Sequence, residues 1–525
     1  MSAKRIVIIG AGVGGLAAAI RLAARGFSVQ LLEKNERVGG KLNLWEMPHP
    51  HRPSGRPFRF DTGPSLLTLP FVFADLFAAA GEDVRHWLPI TKLDPIASFR
   101  WQDGSRFDLR AAQNQLEQEL MRFAPTDVAG WKAFAARGER IWNLSAELFL
   151  YHAPEQVLRG LPGESRNPWR GLTLLTTPFR IGMLSNFARL VHKHLKNQKL
   201  REVLYQYATY SGASPFKAPA TLAVIPHAES YFGGWYPTGG MYRIAEALRE
   251  VATKLGVTIR TNCPVKQILI EPTMPSAGRR QTNRATGVKL HDGTVIRSTA
   301  VVANSDVVYT YQNLIAPEHR PHYPNKKLQQ LEPGGSGMVL LLGIDGTYPQ
   351  LAHHTKFMPA DYKSDLRAMF ETRTVPSDPC IYVCASTRTD PSQAPDGCEN
   401  LFVLCSAPPL DGGLDWAVEG DRYEQQILRT LEQQCGLSDL RKRIVVKRRM
   451  TPAELQHIYN ANAGSIYGIG SNSRKAAFLR PPNRDKKIAG LYFAGGATHP
   501  GGGLPLVALS GKIVAELVEE DFPQK

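Results

Sequence analysis

Two glycine-rich runs near opposite ends of the chain have the spacing of backbone-binding chemistry. The first is Gly10-Ala11-Gly12-Val13-Gly14-Gly15. Gly10 permits a tight turn, Gly12 lets backbone approach a pyrophosphate, and Gly15 lets a helix close on a strand. The helix N-terminus that follows offers unpaired N–H groups to phosphate, and Glu33 is placed to accept from a ribose hydroxyl. The second run holds Gly495, Gly496, Gly501, Gly502 and Gly503 and leads into an apolar segment. A second helix N-terminus there can face phosphate or a cofactor ring. So many glycines would weaken a plain connection, because each loses extra backbone entropy on folding.

The elements that must position these groups are legible around them. An apolar run at 5–9 reads as a buried strand, Leu16, Ile20 and Leu22 mark a helix, and 28–32 reads as a second strand ending at Glu33. Strand, helix, strand and acid arrive in the order a dinucleotide-binding unit requires. NAD and FAD share this part. The following Arg37-Val38-Gly39-Gly40-Lys41 resembles the extended fingerprint of FAD oxidoreductases of the glutathione-reductase type, which implies FAD, with Gly40 and Lys41 at its site. At the other end, 506–518 is expected to be helical.

Between the runs, 49–59 is a basic, Pro-rich loop or hairpin, 70–80 is helical in pattern, and 96–109 alternates as strands about an Asp103-Gly104 turn. Residues 111–210 look mainly helical, broken by Pro154, Pro162 and Pro168. A second α/β unit begins near Pro237, with a helix at 241–255 and strands at 257–261, 265–270, 285–290 and 295–303, the middle two separated by a basic turn at 272–284. Strands following a helix in this way predict more parallel sheet. Residues 320–460 read as a mixed layer of strands and helices.

Composition narrows the partners. The 525 residues, 43% of them apolar, suffice for several globular cores. The net charge of +16 raises anionic partners, but no Lys/Arg block with interleaved aromatics points to nucleic acid. Cys263, Cys380, Cys384, Cys398, Cys405 and Cys435 have neither zinc-ligand nor C-x-x-C spacing, so reduced thiols of a cytoplasmic protein are expected and no metal. No apolar stretch reaches the length of a transmembrane helix. Within 181–195, Leu184, Phe187, Ala188, Val191 and Leu195 fall at helical spacing beside Arg180, Arg189, Lys193 and Lys196. That is the composition of a helix lying on an anionic bilayer, and equally of an amphipathic helix packed on the protein's own core.

Several stretches resemble one family. Residues 33–41, Phe60-Asp61-Thr62-Gly63-Pro64, Trp235-Tyr236-Pro237-Thr238-Gly239-Gly240-Met241 and Thr498-His499-Pro500-Gly501-Gly502-Gly503 are similar to bacterial phytoene-desaturase-type carotenoid oxidoreductases over nearly the whole chain. The resemblance implies an α/β fold. Its FAD-binding Rossmann-like domain, of the glutathione-reductase type, would be assembled from discontinuous segments 1–70, 225–310 and 470–525. A mixed α+β substrate-binding and helical membrane-docking region would occupy 71–224 and 311–469. It implies adenine near the backbone of Val265, the flavin ring near Gly495, Gly496 and Gly503, an acyclic carotenoid substrate, and peripheral attachment to a membrane surface. The stretches at 348–354, 439–442 and 464–468 also resemble diaponeurosporene-type terminal oxygenases and hydroxycarotenoid desaturases.

A polyene offers no ionic handle, so its pocket is expected to be apolar with polar groups near the flavin only. Desaturation sends a hydride to the cofactor and leaves one proton to be accepted. His499 and the His227/Glu229 pair are the candidate acceptors. Terminal oxygenases of this type are expected to carry an amide where this chain has His499, so desaturation is the expected reaction and terminal-methyl oxygenation the alternative. An amine oxidase would carry an acid where this chain has Gly496. A non-catalytic isoprenoid carrier of the GDP-dissociation-inhibitor type would share the fold and lack flavin. Chain length of the substrate, final electron acceptor and oligomeric state are not encoded in any motif.

Overall fold

The computed structural model describes residues 3–159, 180–273, 283–472 and 480–524. Its centre is a five-stranded parallel sheet in the order Leu491–Phe493, Ala300–Ala303, Arg5–Ile9 (β1), Ser28–Leu32 (β2), Thr258–Arg260. A strand buried on both faces has no use for polar alternation, and Ile6, Val7 and Ile8 are fully buried. The helix Val13–Ala24 (α1) covers one face and buries every residue from Val13 to Leu22. Its alanines let it pack closely on the final helix, Leu504–Asp521, where a Cβ at Gly511 would stand 2.7 Å from the Gly14 carbonyl oxygen. The two ends of the chain are therefore one packing unit.

The expected strand after 241–255 does join the parallel sheet, through Thr258–Arg260 beside β2. The strands that follow do not. Val265–Pro272, Asn283–Leu290 and Val295–Arg297 pair antiparallel in a separate sheet, because the connections between them are too short for a crossover helix. Ala300–Ala303 then returns to the parallel sheet beside β1. The basic turn of 272–284 lies mostly outside the described residues.

A third sheet of seven strands runs in the order Ile444–Met450, Ser336–Asp345, Cys398–Ala407, Ile381–Cys384, His354–Met358, Ala97–Trp101, Arg106–Leu109. It is antiparallel except between His354–Met358 and Ala97–Trp101. The 49–59 excursion is the loop of a hairpin between Leu44–Met47 and Phe58–Asp61. Helices Gln113–Phe123, Val128–Leu150, Gln198–Thr209 and Val224–Phe232 form a layer beside these sheets. Pro154 starts the helix Pro154–Arg159 instead of breaking one, as suits a residue without an N–H; Pro162 and Pro168 lie outside the described residues.

The basic amphipathic stretch resolves against a lipid-facing apolar stripe. In the helix Phe187–His194, Phe187, Ala188 and Val191 are buried, as is Leu195 after it, all in the same core as Phe134, Ile141 and Leu204. Hydrophobic burial within the chain has claimed that face. Arg189, Lys193, Lys196 and Leu184 remain exposed. Among the described residues no helix is long and apolar enough to cross a membrane. The six cysteines are free, five of them buried.

Candidate active site and cofactor cleft

The cleft begins where β1 ends. Gly10 adopts φ +93° and its N–H donates to the Leu32 carbonyl at 2.7 Å, which turns the chain sharply into α1. A Cβ at Gly15 would stand 2.2 Å from the Gly10 carbonyl oxygen, so only glycine lets the helix start this close to the strand. Asn304, at the end of the neighbouring strand, donates from Nδ2 to the same Gly10 oxygen at 3.2 Å. The Asn304 side chain also lies against Gly12 and Gly14, where a Cβ would come within 2.8 Å and 2.6 Å of it. Gly10, Gly12 and Val13 line a cavity of about 640 Å³; Gly14 and Gly15 sit behind it as packing glycines.

Glu33 lines the cavity beyond β2. Its buried carboxylate accepts from the Ala11 N–H at 2.8 Å through Oε2 and from the Asn35 N–H at 2.9 Å through Oε1. Val265, with Cys263 and Pro264, lines the same stretch, and the Cys263 N–H donates to the Glu33 carbonyl at 2.8 Å. Gly40 and Lys41 also line the cavity. Lys41 is not a free cation for phosphate, however: Nζ donates to the carbonyls of Ser465 and Ile466 at 2.8 and 2.7 Å. Burial pulls its pKa down to about 8, against the pull of the Asp306 carboxylate. Lys41 thus ties the N-terminal fingerprint to a segment more than 400 residues away.

Opposite, the C-terminal glycine run delivers Gly495, Gly496, Gly502 and Gly503 to the cavity wall. The Gly495 N–H donates to Ser510 Oγ at 2.8 Å. Gly503, at φ +115°, caps the final helix, whose first residues Leu504 to Val507 line the cavity; Pro505 has no N–H and the Val507 N–H donates to the Gly503 carbonyl at 2.9 Å, which leaves the Leu504 and Leu506 N–H groups without an intrahelical partner. Two helix N-termini and an acid on one cleft, with backbone exposed at Gly12, Gly496 and Gly502, fit a dinucleotide carrying a ring system. Asp61 holds this frame: it accepts from the Met241 and Tyr242 N–H groups and from the Tyr236 hydroxyl, each at 2.9 Å. The Phe60-to-Pro64 and Trp235-to-Met241 stretches are therefore neighbours.

Three residues were expected to accept a proton, and the structure separates them. His499 is buried but does not line the cavity. Its Nε2 lies 3.0 Å from the His152 carbonyl, which can only accept, so that nitrogen carries hydrogen. Burial pulls the His499 pKa to about 4 and keeps the ring neutral. Asn483 holds the same loop by donating to the His499 carbonyl at 2.7 Å. In this position His499 holds its loop, with Nε2 committed to the His152 carbonyl and the ring off the cavity wall. His227 is likewise off the cavity, its ring against Trp142 and Tyr231. It sits two residues from Glu229 on the helix Val224–Phe232, which turns the two side chains about 200° apart, so they cannot act as a pair.

Glu229 alone reaches the cavity. The Tyr207 hydroxyl donates to its Oε1 at 2.6 Å, and burial raises its pKa. Nearby on the wall stand Gln206, Lys356, His354 and Tyr382, none of which the sequence singles out as functional. Tyr382 Oη lies 2.6 Å from Ser65 Oγ and 2.7 Å from His354 Nδ1. The one local signal was a lysine in the fully buried strand His354–Met358. The remaining wall is apolar, with Leu66, Ile96, Val224, Ile225, Phe370 and Phe402.

Comparison with known proteins agrees with this geometry. The model of the flavin containing amine oxidoreductase family matches residues 13–519. The chain is 36% identical to a 4,4'-diapolycopene oxygenase of a Methylomonas species over 99% of both chains. It is 33% identical to a zeta-carotene-forming phytoene desaturase of Myxococcus xanthus, covering 98% of this chain and 93% of that one. Among solved structures, the cyclohexylamine oxidase of Brevibacterium oxydans shares the fold at a TM-score of 0.61 with 16% identity, over 99% of this chain and 100% of that one. The dinucleotide cleft and these likenesses over the full length place the chain in the flavin containing amine oxidoreductase family, together with those carotenoid desaturases and oxygenases, as an FAD-dependent oxidoreductase.

Proposed function

We propose that this enzyme oxidises an acyclic carotenoid. The observation that carries the reading is a single cavity that joins the dinucleotide cradle at Gly12 and Glu33 to an apolar wall at Leu66, Ile96, Phe370 and Phe402. A long hydrocarbon laid along that wall gains roughly 25 cal/mol for each Å² of apolar surface removed from water. Bound FAD supplies the two-electron acceptor. Gly12, the α1 N-terminus and Glu33 would hold its phosphates and ribose, and the Gly495-to-Gly503 run its ring. Glu229 is the carboxylate that can take a proton from the chain, Tyr207 fixing its orientation through Oε1.

The segments 1–70, 225–310 and 470–525 form the flavin-binding part in this reading, and 71–224 with 311–469 the substrate part. It is supported by sheet membership: the parallel sheet draws only on the first set and the seven-stranded sheet only on the second. Desaturation remains the first reading of the reaction. Terminal-methyl oxygenation is the second, favoured by the 36% identity to the diapolycopene oxygenase and by His499 being turned away from the cavity. Expression in hosts that make phytoene, diapophytoene or neurosporene, followed by pigment extraction, tests both. A product lighter by two hydrogens per turnover establishes desaturation; an aldehyde labelled from isotopic molecular oxygen establishes oxygenation; unchanged pigment in every host removes the carotenoid reading.

Peripheral membrane contact is part of the proposal, now as an electrostatic one. Arg189, Lys193 and Lys196 are exposed around the exposed Leu184 on a chain of net charge +16. Each cation near an anionic surface contributes about 1 kcal/mol, screened by salt. Replacing the three by Gln is expected to weaken sedimentation with anionic liposomes about tenfold or more at low salt. Equal sedimentation of the variant and the parent would put the contact elsewhere.

A further inference from the structure

The cavity that meets the requirements of a hydrocarbon also contains groups a hydrocarbon cannot satisfy. Lys356 Nζ is fully buried on its wall and donates to Gln206 Oε1 at 2.7 Å. An ammonium has three N–H donors, and among the described residues no other acceptor and no carboxylate within 4.0 Å engages Lys356. Three rings lie around it, Tyr210, Tyr382 and Phe99, with centroids at 4.9, 5.8 and 5.9 Å. Glu229, on the same wall, has Oε1 filled by Tyr207 and a buried Oε2 with no partner. The buried His354 Nε2 is also unpartnered, while its Nδ1 is fixed by the Tyr382 hydroxyl at 2.7 Å.

Buried polar groups are nearly always paired, and an unpaired ion is the costliest exception. Here an unfilled donor and unfilled acceptors line one cavity, and Glu229 and Lys356 feel each other's charge without touching. Tyr210 lies close enough to both Glu229 and Tyr467 for their charges to act on it, and Tyr467 borders Gly502 of the C-terminal glycine run. The polar cluster, Tyr210, Tyr467 and Gly502 therefore share one cavity. A hydroxyl seated here would accept from the Lys356 ammonium and donate to an open acceptor such as Glu229 Oε2, whereas a carbonyl oxygen would fill the ammonium's open donors alone.

We propose that Lys356, Gln206 and Glu229 form a subsite for an oxygen-bearing end of the polyene, a terminal hydroxyl or carbonyl. The subsite rests on the carotenoid reading and sharpens its substrate class: the chain handled here carries oxygen at one end, so a reaction that oxygenates a terminal carbon must supply it or occur at this site. A hydrogen bond to a buried charge strengthens binding about tenfold or more.

The test uses the FAD-loaded protein and two probes in detergent, an acyclic polyene hydrocarbon and the same chain ending in an aldehyde. Binding is read from the visible band of the polyene and from quenching of flavin fluorescence. The aldehyde is expected to bind about tenfold or more tightly than the hydrocarbon. Lys356→Met is expected to reduce that preference to about twofold or less while the hydrocarbon still binds. Equal affinity of the wild-type protein for both probes overturns the subsite and leaves the carotenoid reading standing. So does a preference that persists in Lys356→Met. Failure of both probes to bind the wild-type protein overturns the carotenoid reading and the subsite with it. The two-probe comparison needs no variant, so a Lys356→Met protein that fails to fold does not shelter the proposal.

Discussion

The two ends of the cavity handle polar groups in opposite ways. At the nucleotide end Glu33 and Lys41 are held by backbone: Glu33 by the N–H groups of Ala11 and Asn35, Lys41 by the carbonyls of Ser465 and Ile466. At the substrate end Lys356, Glu229 and His354 are buried with bonding capacity left over. The first arrangement builds a rigid cradle from main chain, suited to a ligand that stays. The second places reactive side chains where a ligand that comes and goes completes them. Backbone geometry is written in contiguous glycines, whereas the substrate end is assembled from separate helices and strands that meet only in three dimensions.

The strongest way to break this contrast is to disturb the cradle. A Cβ at residue 12 would stand 2.8 Å from Asn304 Nδ2, and further side-chain atoms would enter the phosphate path. Gly12→Val is expected to lose flavin completely and activity with it, with the far-ultraviolet circular dichroism unchanged. Stoichiometric flavin in the purified variant would show that the cradle tolerates side chains.

A smaller effect probes the substrate end. Burial lowers the Lys356 pKa to about 8, below the ordinary value of about 10.4, so the folded chain holds that proton less well than the unfolded chain does. The charge therefore costs stability in full below pH 8, and the cost fades as pH rises from about 8 to about 10.4. Lys356→Met is expected to raise Tm at pH 7 by roughly 2–4 °C, with the gain shrinking toward pH 10. A lowered Tm at pH 7 would make Lys356 a net structural support and erase the contrast. The smallest effect concerns the histidine between the two ends. A general base contributes about 10²–10⁴-fold, whereas a loop-positioning His499 predicts that His499→Asn changes kcat by about threefold or less. A hundredfold loss with flavin retained would return His499 to the chemistry.

The sequence was most informative where structure is local. The β1–α1–β2 unit, the acid at its end and the final helix follow from periodicity and glycine spacing, because one turn and one helix place all of them. The antiparallel pairing of Val265–Pro272 with Asn283–Leu290 did not, since strand propensity says nothing about direction. The 187–194 helix was ambiguous for a different reason: an apolar stripe has the same period whether it meets lipid or protein. The setting of His499 was not legible either: a histidine among glycines reads as open to the cleft, and only the fold shows its Nε2 on the His152 carbonyl. The partners of Asn304, Asp61 and Lys356 were not legible, Asp61 standing only inside a quoted motif, because each acts across more than 100 residues of sequence and nothing adjacent marks the partner.

The union of the first and last helices also sets an order for synthesis. Strand Leu491–Phe493 and helix Leu504–Asp521 are the last regular elements to be translated, yet they complete the parallel sheet and cover α1. At about 5–20 residues per second a chain of 525 residues takes on the order of half a minute to two minutes to make. Throughout that time the apolar face of α1 lacks its natural cover. The nascent chain therefore exposes an apolar helix face until its last elements arrive, the kind of surface that favours aggregation before folding is complete.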